Sequence, residues 1–295
     1  MQRPVEFKSE GLTVKGVLWI PDDLEEGERR PGVVTANGFT FPKEFLLPSI
    51  AETFMNAGYV ALTFDYRFLG ESEGEPRGQV HALKQVEDVL NGLSFLETQP
   101  QVDRHRLGAW GASYGGGHVL YAAAHDQRIK CVAANLPVTN GRRWLRVQRH
   151  TAEWYEFLDR VAADRQRRFE GKPSEIVTAF DIFVPDDETR ANFENGWKTV
   201  DRWEPYVTMD TAEYWIQYAP EFYVDRISPR AMLLTHAQND RITPETESIS
   251  AYERAHEPKK LYLYPSKYSH WDGYMRGADV HMGTVVEWFD EHLGI

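Results

Sequence analysis

Three things are scarce in this chain, and each shortage removes a class of protein. There is one cysteine, Cys131, in 295 residues. No disulfide can close within the chain, and no cluster of cysteines can hold a metal. Cys131 lies in the apolar run CVAAN and reads as a small buried hydrophobe, since no neighbouring motif would activate its thiol. Long apolar runs are also missing. No window offers the roughly 18 uninterrupted apolar residues that a membrane-spanning helix requires. The opening residues, MQRPVEFKSE, lack the charged-then-apolar pattern of a secretory signal, so a cytoplasmic protein with no membrane partner is expected. Positive charge is the third shortage. Lys and Arg total 33 against 45 Asp and Glu, a net charge of −12. Such a surface repels phosphate backbones, so no nucleic acid partner is expected. The acidic excess reads as a solubility feature.

What is present is enough for a core: 42% of the residues are hydrophobic, and short β-rich runs alternate with helical patterns. VKGVLWI, PGVVTAN, YVALTFDY, RLGAWG and IKCVAANLP read as strands. FLLPSIAETFMNAG and VHALKQVEDVLNGLSFLETQP read as helices, the second with Val86, Val89, Leu90 and Leu93 at helical spacing. This alternation predicts an α/β fold, a parallel sheet with helices on both faces. From about Val138 to Val224 it stops. No clean strand is legible there, and aromatics crowd the segment. One stretch places Trp154, Phe157, Leu158 and Val161 on one helical face, with Glu156, Arg160 and Arg167 opposite. Strand and helix patterns then resume with RAMLLTHA, PETESISAYERAHEP, KLYLYP and GTVVEWFDEHL. Residues 1–137 and 225–295 are therefore expected to form the core, with residues 138–224 as a helical cap inserted late in the chain.

The motif with most chemistry is RLGAWGASYGGGHVL. Gly111-Ala112-Ser113-Tyr114-Gly115 fits G-x-S-x-G between a strand and a helix. Glycines there let a tight turn push the serine oxygen out at the sheet edge, where the helix N-terminus favours developing negative charge. A serine hydroxyl needs a general base, and the base needs an orienting carboxylate. Among the ten histidines, His270 stands in a loop after the last strand and is the expected base. His118 lies on the helix after the serine, His236 within a strand, His256 at a helix end and His281 at a helix start. Asp240 follows the preceding strand and is the expected acid. Asp225 lies at the wrong end of that strand, Glu245 on the next helix, and Asp272 too close to His270 in sequence. The chain order Ser113, Asp240, His270 fits this hydrolase arrangement. The oxyanion hole should use the backbone N–H of Tyr114 and one from the loop NGFTFPKE, Phe39 first and Thr40 in reserve. Asp65, Arg67 and Glu71 in FDYRFLGESEGE read as a local hydrogen-bonded loop. Arg142, Arg143, Arg146 and Arg149 read as a solvated helical face.

With ANGFTFPKE, DYRFLGESEGE, WGASYGGG, NDRITP and YSHWDGY in that order, the chain resembles the α/β-hydrolase superfamily. It is similar to bacterial serine esterases and peptidases related to dienelactone hydrolase and to the X-prolyl dipeptidyl-peptidase catalytic domain. The resemblance implies a mostly parallel eight-stranded sheet flanked by helices, and a serine hydrolase with neither metal nor organic cofactor. It places Ser113 as nucleophile, Asp240 as acid, His270 as base, and Tyr114 and Phe39 at the oxyanion positions. One departure is Asn37-Gly38 where many relatives carry His-Gly. The expected substrate is a small molecule with an ester, thioester, lactone or amide bond and an apolar or aromatic acyl part; no particular substrate-binding residue is singled out. An acyltransferase or C–C bond-cleaving enzyme on the same scaffold, or a binding protein without chemistry, are the alternatives. The aromatic lid could also serve a homodimer interface.

Overall fold

The computed structural model describes residues 1–203, 205–274 and 278–294. It opens on an antiparallel pair, β1 (Gln2–Ser9) and β2 (Leu12–Trp19). Then come β3 (Arg30–Ala36), α1 (Leu47–Asn56), β4 (Val60–Phe64), α2 (Ala82–Glu97), β5 (Val102–Ala112), α3 (Tyr114–His125) and β6 (Ile129–Asn135). The next segment carries α4 (Gly141–Val147), α5 (Thr151–Phe169), β7 (Ile176–Thr178), α6 (Ala179–Ile182), α7 (Asp187–Asn195), β8 (Tyr206–Thr208) and α8 (Asp210–Gln217). β9 (Ala231–Ala237), α9 (Thr246–Arg254), β10 (Lys259–Tyr264) and α10 (Ala278–Leu293) complete the chain. The main sheet has eight strands in the order β1-β2-β4-β3-β5-β6-β9-β10. β1–β2 and β2–β4 pair antiparallel and every other pair is parallel.

Parallel strands buried on both faces need apolar residues on both sides of the pleat. β5 shows how the sequence meets this. Leu107 and Ala109 join the core beneath α2 and α3, while Trp110 and Ala112 join the opposite core with α1 and α10. α2 buries Ala82, Val86, Val89, Leu93 and Leu96, three or four residues apart, against the first of these cores. Cys131 is buried in the second, where burial pushes its thiol pKa well up and leaves it unreactive. No helix among the described residues is long and apolar enough to cross a membrane.

Three strands were not legible in the sequence. β1 is an edge strand with mostly exposed or half-buried residues, so its apolar alternation is weak. β7 and β8 are three residues each and pair antiparallel within the segment expected to be helical. Strands this short carry no periodicity; tertiary contacts hold them, as when the Thr208 amide donates to the Gly78 carbonyl at 3.2 Å.

The four arginines of α4 and its flank depart from a solvated face, for only Arg142 is exposed. Arg143 bridges Glu221 at 2.8 Å and Glu247 at 2.6 Å, tying α4 to the start of α9. Arg149 is buried, lies 4.0 Å over the Phe157 ring and donates to the Leu145 and Ile182 carbonyls. Helical spacing alone does not reveal that neighbours from distant segments cover these positions.

Candidate active site

β5 ends at Ala112 and α3 begins at Tyr114, so Ser113 alone makes the turn between them. Its backbone sits at φ +53°, ψ −118°, a region side-chain-bearing residues rarely adopt. The turn is held from outside. The Ser113 amide donates to the Asn135 carbonyl at 2.8 Å, and the Val138 amide donates to the Ser113 carbonyl at 3.0 Å. The glycines around it answer to close backbone approach. A Cβ on Gly115 would lie 2.3 Å from the carbonyl oxygens of both Ala36 and Asn37, and one on Gly111 would lie 2.3 Å from the Gly115 oxygen. Gly115→Ala is therefore expected to destabilise the fold by about 3 kcal/mol or more, because the obstructing atoms are backbone. Urea unfolding measures this, and a change below about 1 kcal/mol would contradict the close approach.

Asp240 and His270 follow β9 and β10 at the same edge of the sheet. His270 Nδ1 lies 2.8 Å from Asp240 Oδ2. The other carboxylate oxygen accepts the Ile242 and Thr243 amides at 2.8 and 2.9 Å. Both side chains are almost fully buried. Burial pushes the Asp240 carboxyl pKa up, but the neighbouring His270, its hydrogen bond and the backbone donors outweigh it, and the net shift is downward. The carboxylate is thus held ionised behind the imidazole. Ser113 and His270 line one cleft, so the three residues singled out in the sequence converge from three strand ends.

The other candidates are engaged otherwise, although His236 Nε2 lies 3.8 Å from Asp240 Oδ2. His236 hydrogen-bonds the Thr243 carbonyl and Ser248 Oγ, and burial lowers its pKa. His118 lies between Gln85 and Tyr218, with its pKa pushed down to about 3 by burial. His281 donates to the Gly273 carbonyl. Glu245 accepts the Asn239 amide and Asp272 accepts the Ser269 amide.

Tyr114 is the first residue of α3, so its amide has no acceptor within the helix. Among the described residues no acceptor takes the Phe39 amide either. Asn37 organises this loop: its Oδ1 accepts the Gly38 amide at 2.8 Å, and its Nδ2 reaches the Phe41, Pro42 and Phe45 carbonyls at 3.0 to 3.3 Å. Its side-chain amide thus fixes the turn.

The cleft wall is almost entirely apolar. Trp144, Phe183 and Trp215 close one side, and Trp197, Trp203 and Trp271 the other. Side-chain hydrogen bonds anchor the second group, Trp203 Nε1 to Thr40 Oγ1 and Trp271 Nε1 to Thr189 Oγ1, both at 2.8 Å. The sequence shows these aromatics but not which face the cleft: Trp154 packs in the core, and Tyr155 and Phe222 are exposed. The loop after β4 is only in part the local network expected. Asp65 accepts the nearby Glu71 amide, but it also accepts the Lys43 amide, and Arg67 Nε donates to Asp88 of α2, so distant segments complete the network. Glu44, Asp65 and Glu71 bring three carboxylates together, but Lys43 Nζ already lies within 2.9 Å of each. That ammonium supplies the counter-charge a metal would bring.

The sheet order and the serine at the strand-to-helix turn define the α/β-hydrolase class. The sequence profile of the X-Pro dipeptidyl-peptidase (S15 family) matches residues 10–270, and the chain belongs to that family. It is 28% identical over 302 residues to a thiohydrolase of Eupenicillium brefeldianum, covering 93% of this chain and 89% of that one. It is 24% identical over 301 residues to the polyketide transferase GrgF of a Penicillium species, covering 98% and 96%. The crystal structure of GrgF, described as an α/β hydrolase, superposes with a TM-score of 0.83 at 22% identity over the whole of both chains. A hypothetical protein from Pseudomonas aeruginosa superposes with a TM-score of 0.85 at 26% identity, covering 99% of this chain and 94% of that one. The chain is a hydrolase of this class.

Proposed function

We propose that this hydrolase cleaves an ester or thioester whose acyl part is uncharged and apolar or aromatic, through an acyl-enzyme on Ser113. The observation that carries this reading is the buried 2.8 Å Asp240–His270 pair, whose imidazole lines one apolar cleft together with Ser113. Ser113 Oγ attacks the carbonyl carbon while His270 Nε2 takes its proton. Asp240 holds the ring through Nδ1 and stabilises the imidazolium. The Tyr114 and Phe39 amides bind the oxyanion. His270 then protonates the leaving group, and water, activated by the same imidazole, releases the acid.

The wall composition supports the substrate class. Each methylene buried there is worth about 0.8 kcal/mol. Catalytic efficiency (kcat/KM) toward thiol or p-nitrophenyl esters should therefore rise by about threefold to fourfold per acyl methylene until the cleft is filled. A substrate with a free ammonium beside the scissile group, as in an Xaa-Pro dipeptide anilide, needs a carboxylate to replace its lost hydration. None stands among the described residues of the wall. Such anilides should react at least about 100-fold more slowly than the same compounds with the ammonium acylated, about 3 kcal/mol of uncompensated desolvation. A panel of acyl esters, thioesters and anilides checks both points; equal rates across the panel would refute the assignment.

A second reading, acyl transfer to an acceptor other than water, is supported by the apolar wall and by the likeness to GrgF. Product analysis with and without an added alcohol separates the two.

A further inference from the structure

Tyr274 was not singled out in the sequence, and the structure sets it against the reacting centre. It lies in the turn that carries His270, its amide donating to the Trp271 carbonyl at 3.0 Å. The preceding carbonyl, that of Gly273, accepts from Asn135 Nδ2 at 3.2 Å and His281 Nε2 at 2.6 Å, both buried. The turn is therefore pinned from behind. The Tyr274 ring is 1% exposed and stacks on Trp271, with centroids 6.2 Å apart.

Its hydroxyl ends at the oxyanion loop. A Cβ built on Gly38 would lie 2.8 Å from Tyr274 Oη and 3.7 Å from Ser113 Cβ. The phenol thus fills space that only a glycine leaves open, next to the nucleophile and one residue before the Phe39 amide. The hydroxyls of Thr40 and Thr189, also at the cleft, accept from Trp203 and Trp271. Burial raises the Tyr274 phenol pKa far above the ordinary value, so the group is a neutral donor throughout the working range.

We propose that Tyr274 is a catalytic residue of this site, its phenolic O–H donating a third hydrogen bond to the oxyanion formed when Ser113 attacks the acyl carbon. The proposal rests on Ser113 as the nucleophile. No proton leaves the phenol. The C=O π pair moves onto oxygen as the Ser113 Oγ–C bond forms, the O–H stabilises that charge, and the pair returns to carbon as the leaving group departs. A side-chain donor fixed before the reaction costs no reorganisation when the charge appears.

The test uses the full chain with a p-nitrophenyl arylacetate as substrate. Tyr274→Phe keeps the ring and removes the donor. It should lower kcat by about 100-fold to 1,000-fold, leave KM within about threefold, and leave Ser113 open to a fluorophosphonate. An aryl trifluoromethyl ketone, which forms a tetrahedral oxyanion on the serine, should bind more weakly by a similar factor. The product acid, which forms none, should bind unchanged. Gly38→Ala is the second variant. Its new methyl would push the phenol aside without removing it, so it should give the same signature, and the double variant should be no slower than the slower single one.

Tyr274→Phe with kcat within threefold of the parent, while Ser113 still labels, overturns the proposal alone. A higher kcat also overturns it, since the phenol would then be holding the serine away from His270. Equal weakening of ketone and product acid, with a raised KM, would mean a merely structural role and likewise sink it. Failure of the parent protein to label at Ser113 would remove the nucleophile reading itself, and this proposal with it.

Discussion

Ser113→Ala should leave a folded protein whose kcat is lower by about a million-fold, the scale on which a hydrolase loses turnover when its nucleophile is removed. The elbow survives because its causes lie outside the hydroxyl. The clamp between the Asn135 carbonyl and the Val138 amide uses only the backbone of residue 113. Gly111 and Gly115 keep their close approaches. The positive φ is no harder for alanine than for serine, so the thermal midpoint should move by only a few degrees. The measurement is steady-state hydrolysis of an activated arylacetyl ester beside a thermal melt and fluorophosphonate labelling. Hydrolysis near the parent rate would end the nucleophile assignment, and with it the mechanism.

Asp240→Asn should lower kcat by about 10,000-fold with the cleft intact. Geometry gives the reason. Oδ1 of Asp240 receives the Ile242 and Thr243 amides, both donors, so the carbonyl oxygen of an asparagine must face them. Its NH2 is then left pointing at His270 Nδ1, where the carboxylate oxygen lies at 2.8 Å. Two donors cannot share that contact, so His270 is forced to carry its proton on Nε2, where it can no longer take one from the serine. The loss should fall on kcat, with KM little changed, because Asp240 does not line the cleft. A reduction of less than tenfold would mean that the imidazole is oriented by something else.

Much of the fold was readable along the chain. β2 to β6, β9 and β10 are short apolar runs, and α2 shows its buried face at helical spacing, because burial on a sheet or beneath a helix imposes a period on the residues themselves. What lacked a period was not readable. β1 is an edge, β7 and β8 are three residues long, and Arg149 is covered by Phe157 and by the Ile182 carbonyl of a later segment. The site divides in the same way. G-x-S-x-G carries its own geometry, since glycines and a serine at a strand end permit only a tight turn. Asp240 and His270 could be named from their places after strands, because a parallel sheet gathers those ends along one edge. Asn37 was visible only as a polar residue before a glycine, and its grip on three carbonyls exists only in the folded chain.

The sequence by itself determined the class of fold, the strand-to-helix turn at residue 113 and the edge where the candidate acid and base would stand. All three follow from spacing and from residue types that act over a few neighbours. Only the tertiary structure decided which tryptophans face the cleft, that the described residues of the wall offer no counter-charge to an ammonium group, and that the Tyr274 phenol enters the gap at Gly38. Those outcomes depend on where side chains from four or five separated segments end up, and no local pattern in a chain encodes a meeting of that kind.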